Sequence, residues 1–271
     1  MSKPFNLLHE RWIPVALSDG KRAFVRLGEI SQPHDGRAIV RIATGRPDCD
    51  ISLTEFLIGL LAVTMGPETR RDWVKRYRSP PSREELEAAL APLEPAMILD
   101  GAAARFFQDA EPLSGEANGI DALFIDAPGT STIRDNADHF VKRGRTSVLS
   151  RAGAAIVLAT LQTSAPSGGA GHRTSLRGGG PLTTLVLPGL PGNAEPTLWQ
   201  RLWANVPNRS GDDALDLKRV FPWLEHFPTD VNRICHRGVP LSAQIRFESS
   251  VIRDARRCPR GSRSRPECAA A

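Results

Sequence analysis

Residues 162–187 read Gln-Thr-Ser-Ala-Pro-Ser-Gly-Gly-Ala-Gly-His-Arg-Thr-Ser-Leu-Arg-Gly-Gly-Gly-Pro-Leu-Thr-Thr-Leu-Val-Leu. Six glycines fall between Gly168 and Gly180, with His172, Arg173 and Arg177 among them. Glycine lets backbone approach a ligand and take positive φ, at roughly 0.5–1 kcal/mol each in a regular element. Two readings fit: a pair of tight turns between regular elements, or a loop that faces a ligand.

The flanks give the fold class. Residues 148–162 are Ala-rich and apolar almost all round, which predicts a buried helix. Pro181 then opens a β-favouring run, 182–187, which Pro188-Gly189 breaks. Further out, residues 5–13 predict a short strand that closes before Pro14. A turn at Ser18-Asp19-Gly20 and a second strand at 24–27 would complete a hairpin. Ser52-x-x-Glu55 reads as a capping box opening an apolar helix that Gly66-Pro67 stops. A basic helix follows over 72–78, its charges read as a solvated face. Ser82-x-x-Glu85 caps another helix through Leu86, Leu90 and Leu93. Trp12, the pair Phe106-Phe107, and Trp199 and Trp203 in a short helix read as core. Residues 123–125 read as a short buried strand, and 221–224 as an apolar knot. Mixed helices and short strands make the class α+β.

Composition limits the chemistry. At 271 residues, 41% hydrophobic and 24% charged, the chain can bury a core. A net charge of +5 fits a polyanionic partner, although most such surfaces are simply solvated. Cys49, Cys235, Cys258 and Cys268 form no Cys-x-x-Cys pair, so neither a disulfide framework nor a zinc site is expected. There is no Walker loop, dinucleotide fingerprint, His-Glu-x-x-His or Gly-x-Ser-x-Gly. Asp48 and Asp50 are expected just before a helix N-terminus, where acids are favourable in any case. No catalytic residue, metal or cofactor is expected, and a non-enzyme is the stronger class. With no membrane-length apolar run, the expectation is a cytoplasmic protein without a membrane partner.

Two basic stretches remain. Residues 136–145 form a polar loop in which Lys142, Arg143 and Arg145 surround Gly144. These could clasp phosphates, with Phe140 either inserted against a base or tucked inward. In the glycine stretch, backbone at 167–171 can follow a groove floor where a Cβ would clash, and Arg173 and Arg177 can pair with phosphates. Minor-groove contact of this kind reads a degenerate, shape-dependent code.

Four segments carry a resemblance. They are Asn6-Leu7-Leu8 with Trp12-Ile13-Pro14-Val15; Ile125-Asp126-Ala127-Pro128-Gly129; Asn136-x-Asp138-His139-Phe140-Val141-Lys142-Arg143; and the long run from Leu161 to Thr184. Together they resemble the CasA family, the large subunit of the type I-E CRISPR surveillance complex Cascade, over residues 5–224. The resemblance implies a large mixed N-terminal domain without catalytic activity. It also implies recognition of the protospacer-adjacent motif in double-stranded target DNA and help in recruiting a helicase-nuclease. Ser167, Gly168, Gly169, Ala170 and Gly171 map onto the family's DNA-facing glycine loop. Phe140, Val141, Lys142 and Arg143 map onto the loop that meets the guide RNA and other Cascade subunits. Some members have Cys-x-x-Cys where this chain has Leu149-Ser150-Arg151-Ala152, so no metal is expected there.

The family's C-terminal four-helix bundle has no counterpart in the sequence. Residues 225–271 instead carry nine arginines, no lysine and three of the four cysteines. The expected division is a CasA-like domain at 1–224 and an atypical Arg-rich tail at 225–271. Such a tail fits either a disordered basic arm or a truncated or frameshifted gene product, the latter favoured.

Overall fold

The computed structural model describes residues 3–108, 119–141, 143–144, 146–164, 184–209 and 215–224. The fold is α+β: a small antiparallel sheet against a set of helices. β1 (Ile13–Leu17) lies between β2 (Arg22–Val25) and β3 (Ile39–Ile42), antiparallel to both. The hairpin turns where expected, with Gly20 at φ 81°, a conformation glycine adopts freely. The strand expected over 5–13 is corrected: residues 5–12 are not part of it, and β1 begins at Ile13 and runs through Pro14 instead of ending before it. The Pro14 carbonyl accepts from the Ala43 amide at 2.9 Å, and the missing N–H falls at the end of the β1–β3 ladder, which begins at Val15. Proline is tolerated in a strand at such a place.

α1 (Pro47–Met65) is the central helix. It starts five residues before the expected capping box. Pro47 at its first position and Asp48 and Asp50 in its first turn supply the start. Ser52 and Glu55 are therefore interior, and both are buried. Gly66 ends the helix as expected. α2 (Arg70–Arg78) and α3 (Arg83–Leu90) follow, capped by the Thr69 and Ser82 side chains.

The core joins Trp12, Phe56, Phe106, Phe107 and Trp223 in edge-on and tilted ring contacts, with centroids 4.3–6.5 Å apart. Such pairs contribute roughly 0.5–1.5 kcal/mol each beyond the area they bury. Four tryptophans find carbonyl acceptors for their indole N–H: Trp12 on Leu7, Trp223 on Ala96, Trp199 on Arg76 and Trp203 on Trp73, at 2.8–2.9 Å. Each bond satisfies a donor that would otherwise be costly to bury.

Three further expectations are corrected. Residues 123–125 are not a strand. Ile120–Leu123 is a short 3-10 helix, and Phe124 lies under the Arg46 guanidinium at 4.9 Å. The helix expected from 148 begins later, as α5 (Arg151–Ser164), and Val148 is exposed. Of the expected strand 182–187, residues 182 and 183 lie outside the described residues; among the described residues, 184–187 pair with no strand, and a side chain holds them instead, as described below.

Candidate nucleic-acid interface

One end of α1 organises both candidate segments. Arg46, just ahead of the helix, places Nε and Nη2 on the Asp48 carboxylate at 3.2 and 2.8 Å. Its Nη2 also donates to Asp126 at 3.0 Å. Hydrogen bonding to Asp48, reinforced by Asp126, raises the Arg46 pKa despite partial burial. The guanidinium stays charged and pins residues 120–128 to the start of α1.

From there the chain enters α4 (Thr130–Arg134) and the predicted basic loop. Asn136, at φ 49°, reverses the chain direction, and Gly144, at φ 66°, closes the turn. Asparagine and glycine are the residue types that take this left-handed region most readily. Between them Arg143 donates from Nε and Nη2 to the Asp138 carboxylate. Its Nη2 also reaches the Ile133 carbonyl at 3.0 Å and Asn136 Oδ1 at 3.2 Å. The Arg143 hydrogen bonds hold Asp138 down to a pKa of about 2. This fork folds the loop upon itself. Phe140 at its tip is fully exposed rather than tucked inward. Arg143 thus holds the loop's shape, Val141 is half-buried, and Lys142 lies outside the described residues.

α5 reaches the same end of α1. Ser52 Oγ meets Ser164 Oγ at 2.7 Å. Gln162 donates to the Phe107 carbonyl at 3.5 Å. Ser164 is the last described residue before the glycine stretch. Arg46 and Ser52 are six residues apart on one helix, about 9 Å along its axis. The segment leading to Phe140 and the helix leading to the glycines therefore diverge from one short piece of α1.

The chain is described again from Thr184. Asn205, just after α6 (Leu198–Trp203), holds it. Its Oδ1 accepts from the Val186 amide at 2.6 Å, and its Nδ2 donates to the Val186 carbonyl at 3.0 Å and to the Arg201 carbonyl at 2.8 Å. The amide side chain does for Val186 what a neighbouring strand does for a ladder residue.

Ser167, Gly168, Gly169, Ala170, Gly171, Arg173 and Arg177 lie outside the described residues. The structure defines the two ends of their segment, at Ser164 and Thr184. Sequence reasoning missed the Arg46 fork, the Ser52–Ser164 bond and the Asn205 clamp. Asp126 stands within a segment that carried the family resemblance, and its position there was the available signal. Nothing local marks Asn205.

A sequence-family model for CRISPR-associated protein Cse1 matches residues 6–240. Among solved structures, Cse1 from Thermobifida fusca superposes with a TM-score of 0.63 at 20% identity, covering 89% of this chain and 47% of that one. Cse1 from Acidimicrobium ferrooxidans gives 0.54 at 19%, covering 84% and 43%. A CasA structure from Thermus thermophilus gives 0.51 at 22%, covering 78% and 41%. At these identities the likeness is one of fold. The chain spans less than half the length of the structures it matches.

Proposed function

Because the chain belongs to the CRISPR-associated protein Cse1 family, we propose that it serves as a non-catalytic subunit of Cascade, the RNA-guided surveillance complex. In this reading it recognises the protospacer-adjacent motif in double-stranded DNA and helps recruit a helicase-nuclease. The observation that carries the reading is the common origin of the two candidate segments on α1. Arg46 and Asp126 hold the route to Phe140, and Ser52 and Ser164 hold the route to the glycines. A rigid helix offering two contacts from one end suits a subunit that meets its complex and its DNA together.

The roles divide by chemistry. Phe140 is a bare aromatic ring at a loop tip, suited to insertion against a base or into a pocket of a neighbouring Cascade subunit at the guide RNA. Ser167, Gly168, Gly169, Ala170 and Gly171 offer backbone to the floor of the minor groove. A groove read there separates base pairs coarsely and depends on shape. Arg173 and Arg177 anchor the phosphates alongside.

The test is Gly169→Asp or Gly171→Asp. Each places a carboxylate against the duplex and weakens binding to motif-bearing DNA while leaving co-purification with the guide-RNA-bearing subunits intact. Unchanged motif-dependent binding in both variants refutes the assignment. The exposure of Phe140 favours a second reading, an assembly subunit that reads no DNA. A gel shift comparing motif-bearing and motif-free duplex, with and without this chain in the complex, separates the two.

A further inference from the structure

The second helix carries a feature that its own stability explains only in part and the candidate loops do not explain. On α2, Arg71, Lys75 and Arg78 are all exposed. Their spacing of four and three residues puts them within about 60° of one another around the helix, along about 10 Å of its length. No ion pair joins the side chain of any of the three to another described residue. Arg76, on a different face, is paired with Glu85.

Cations in the last turn of a helix favour its dipole, which accounts for Lys75 and Arg78. Arg70 and Arg71 stand in the first turn, where positive charge is disfavoured. Arg71 and Lys75 are also like charges one turn apart, a repulsive arrangement. Arg71 therefore works against the helix that carries it, and the dipole does not explain why the row extends to it.

The opposite face fixes the direction in which the row points. Trp73 and Tyr77 stack at 5.2 Å with their planes 10° apart. The Trp203 and Trp199 indoles donate to the carbonyls of Trp73 and Arg76, so α2 and α6 run antiparallel. The Arg209 amide reaches the Pro67 carbonyl at 2.7 Å, which brings the end of α6 beside the start of α2. Asn205, which holds Val186, lies at that same end. The row thus begins near the point where the chain returns from the glycine stretch.

We propose that the outer face of α2 is a sequence-independent contact for the sugar-phosphate backbone of duplex DNA. The proposal rests on the reading above that this chain meets duplex DNA. A protein partner of ordinary kind needs a large apolar or aromatic anchor in its interface, and this face offers only the half-buried Val74, since Trp73 and Tyr77 pack against the core. Phosphates need only fixed positive charge, which Arg71, Lys75 and Arg78 supply on a helix that cannot rotate.

The experiment is a salt series on the full chain. Fluorescence anisotropy follows binding to a mixed-sequence duplex between about 50 and 200 mM salt. The triple variant Arg71→Ala/Lys75→Ala/Arg78→Ala is expected to bind at least tenfold more weakly at the low-salt end. Its slope of log affinity against log salt should be shallower by about 2–3. Arg78→Ala alone should make the slope shallower by about 1, while Arg71→Lys/Lys75→Arg/Arg78→Lys keeps the wild-type slope.

A slope unmoved in both alanine variants overturns the proposal. So does an equal loss in the charge-keeping variant, or a loss confined to co-purification with other subunits, which would identify an acidic protein instead. The failure of the functional reading is distinguishable. Wild-type protein without motif preference, whose slope nevertheless falls in the alanine variants, refutes motif reading and supports this contact. Motif preference with an unmoved slope does the reverse.

Discussion

Asn205→Ala tests how the chain is held where it leaves the glycine stretch. The substitution removes the acceptor that takes the Val186 amide at 2.6 Å and the donor that reaches the Val186 carbonyl at 3.0 Å. A net hydrogen bond contributes about 1 kcal/mol, so losing the pair lowers the local opening free energy of residues 184–187 by about 2 kcal/mol. That corresponds to about 30-fold faster amide exchange at Val186. The third bond, to the Arg201 carbonyl, ends at the last turn of α6. Its loss adds fraying there but should leave Trp199 and Trp203, anchored on α2, protected. Hydrogen exchange read by NMR resolves the two regions. Asn205→Asp is the graded control, because it keeps the acceptor for Val186 and loses the donor, so protection falls by less. If Val186 exchanges at the wild-type rate in Asn205→Ala, the side chain is not what holds this segment. If the whole of α6 exchanges faster together, the clamp is part of the global fold rather than a local restraint.

Phe140→Ala should leave the thermal midpoint nearly unchanged, because an exposed side chain contributes within about 0.5 kcal/mol. It should weaken association with the complex by about 2 kcal/mol if Phe140 is an anchor, which calorimetric titration with the remaining subunits measures. Asp138 has its pKa depressed to about 2 from an ordinary 3.8, chiefly by hydrogen bonding to Arg143. A depressed carboxyl holds its fork at pH values above 3.8 and releases it as pH falls through about 2. In an NMR titration Arg143→Ala should bring Asp138 back towards 3.8, and a midpoint still near 2 contradicts the fork. Phe56→Ala removes a ring packed against Trp12, Phe106 and Phe107 and should cost about 3–5 kcal/mol in urea denaturation.

Local chemistry made some of the fold legible. Gly66-Pro67 has few ways to continue a helix, and Ser82 ahead of Glu85 satisfies free amides at a helix start, so both boundaries fall as read. Apolar spacing placed Trp199 and Trp203 in the core. The misreadings share a cause. Ser52 and Glu55 have the pattern of a cap, yet Pro47, Asp48 and Asp50 offer a start earlier in the chain, and burial against α5 accommodates Ser52 inside the helix. Residues 182–187 have the composition of a strand, but strand formation needs a partner. Among the described residues 184–187, the partner is the side chain of Asn205.

By itself the sequence determined the α+β class, several helix ends, the aromatic core and the family, because caps, periodicity and motif spacing are local properties. Tertiary structure alone decided that Arg46 reaches 80 residues along the chain to Asp126, and Ser52 reaches 112 residues to Ser164. It alone turned Phe140 outward by spending Arg143 on Asp138. It also turned the cations of α2 away from the two tryptophans of α6 that hold the helix. Each of these depends on which surfaces meet when the core closes. A hydrogen bond between residues distant in sequence leaves no period or spacing to be read.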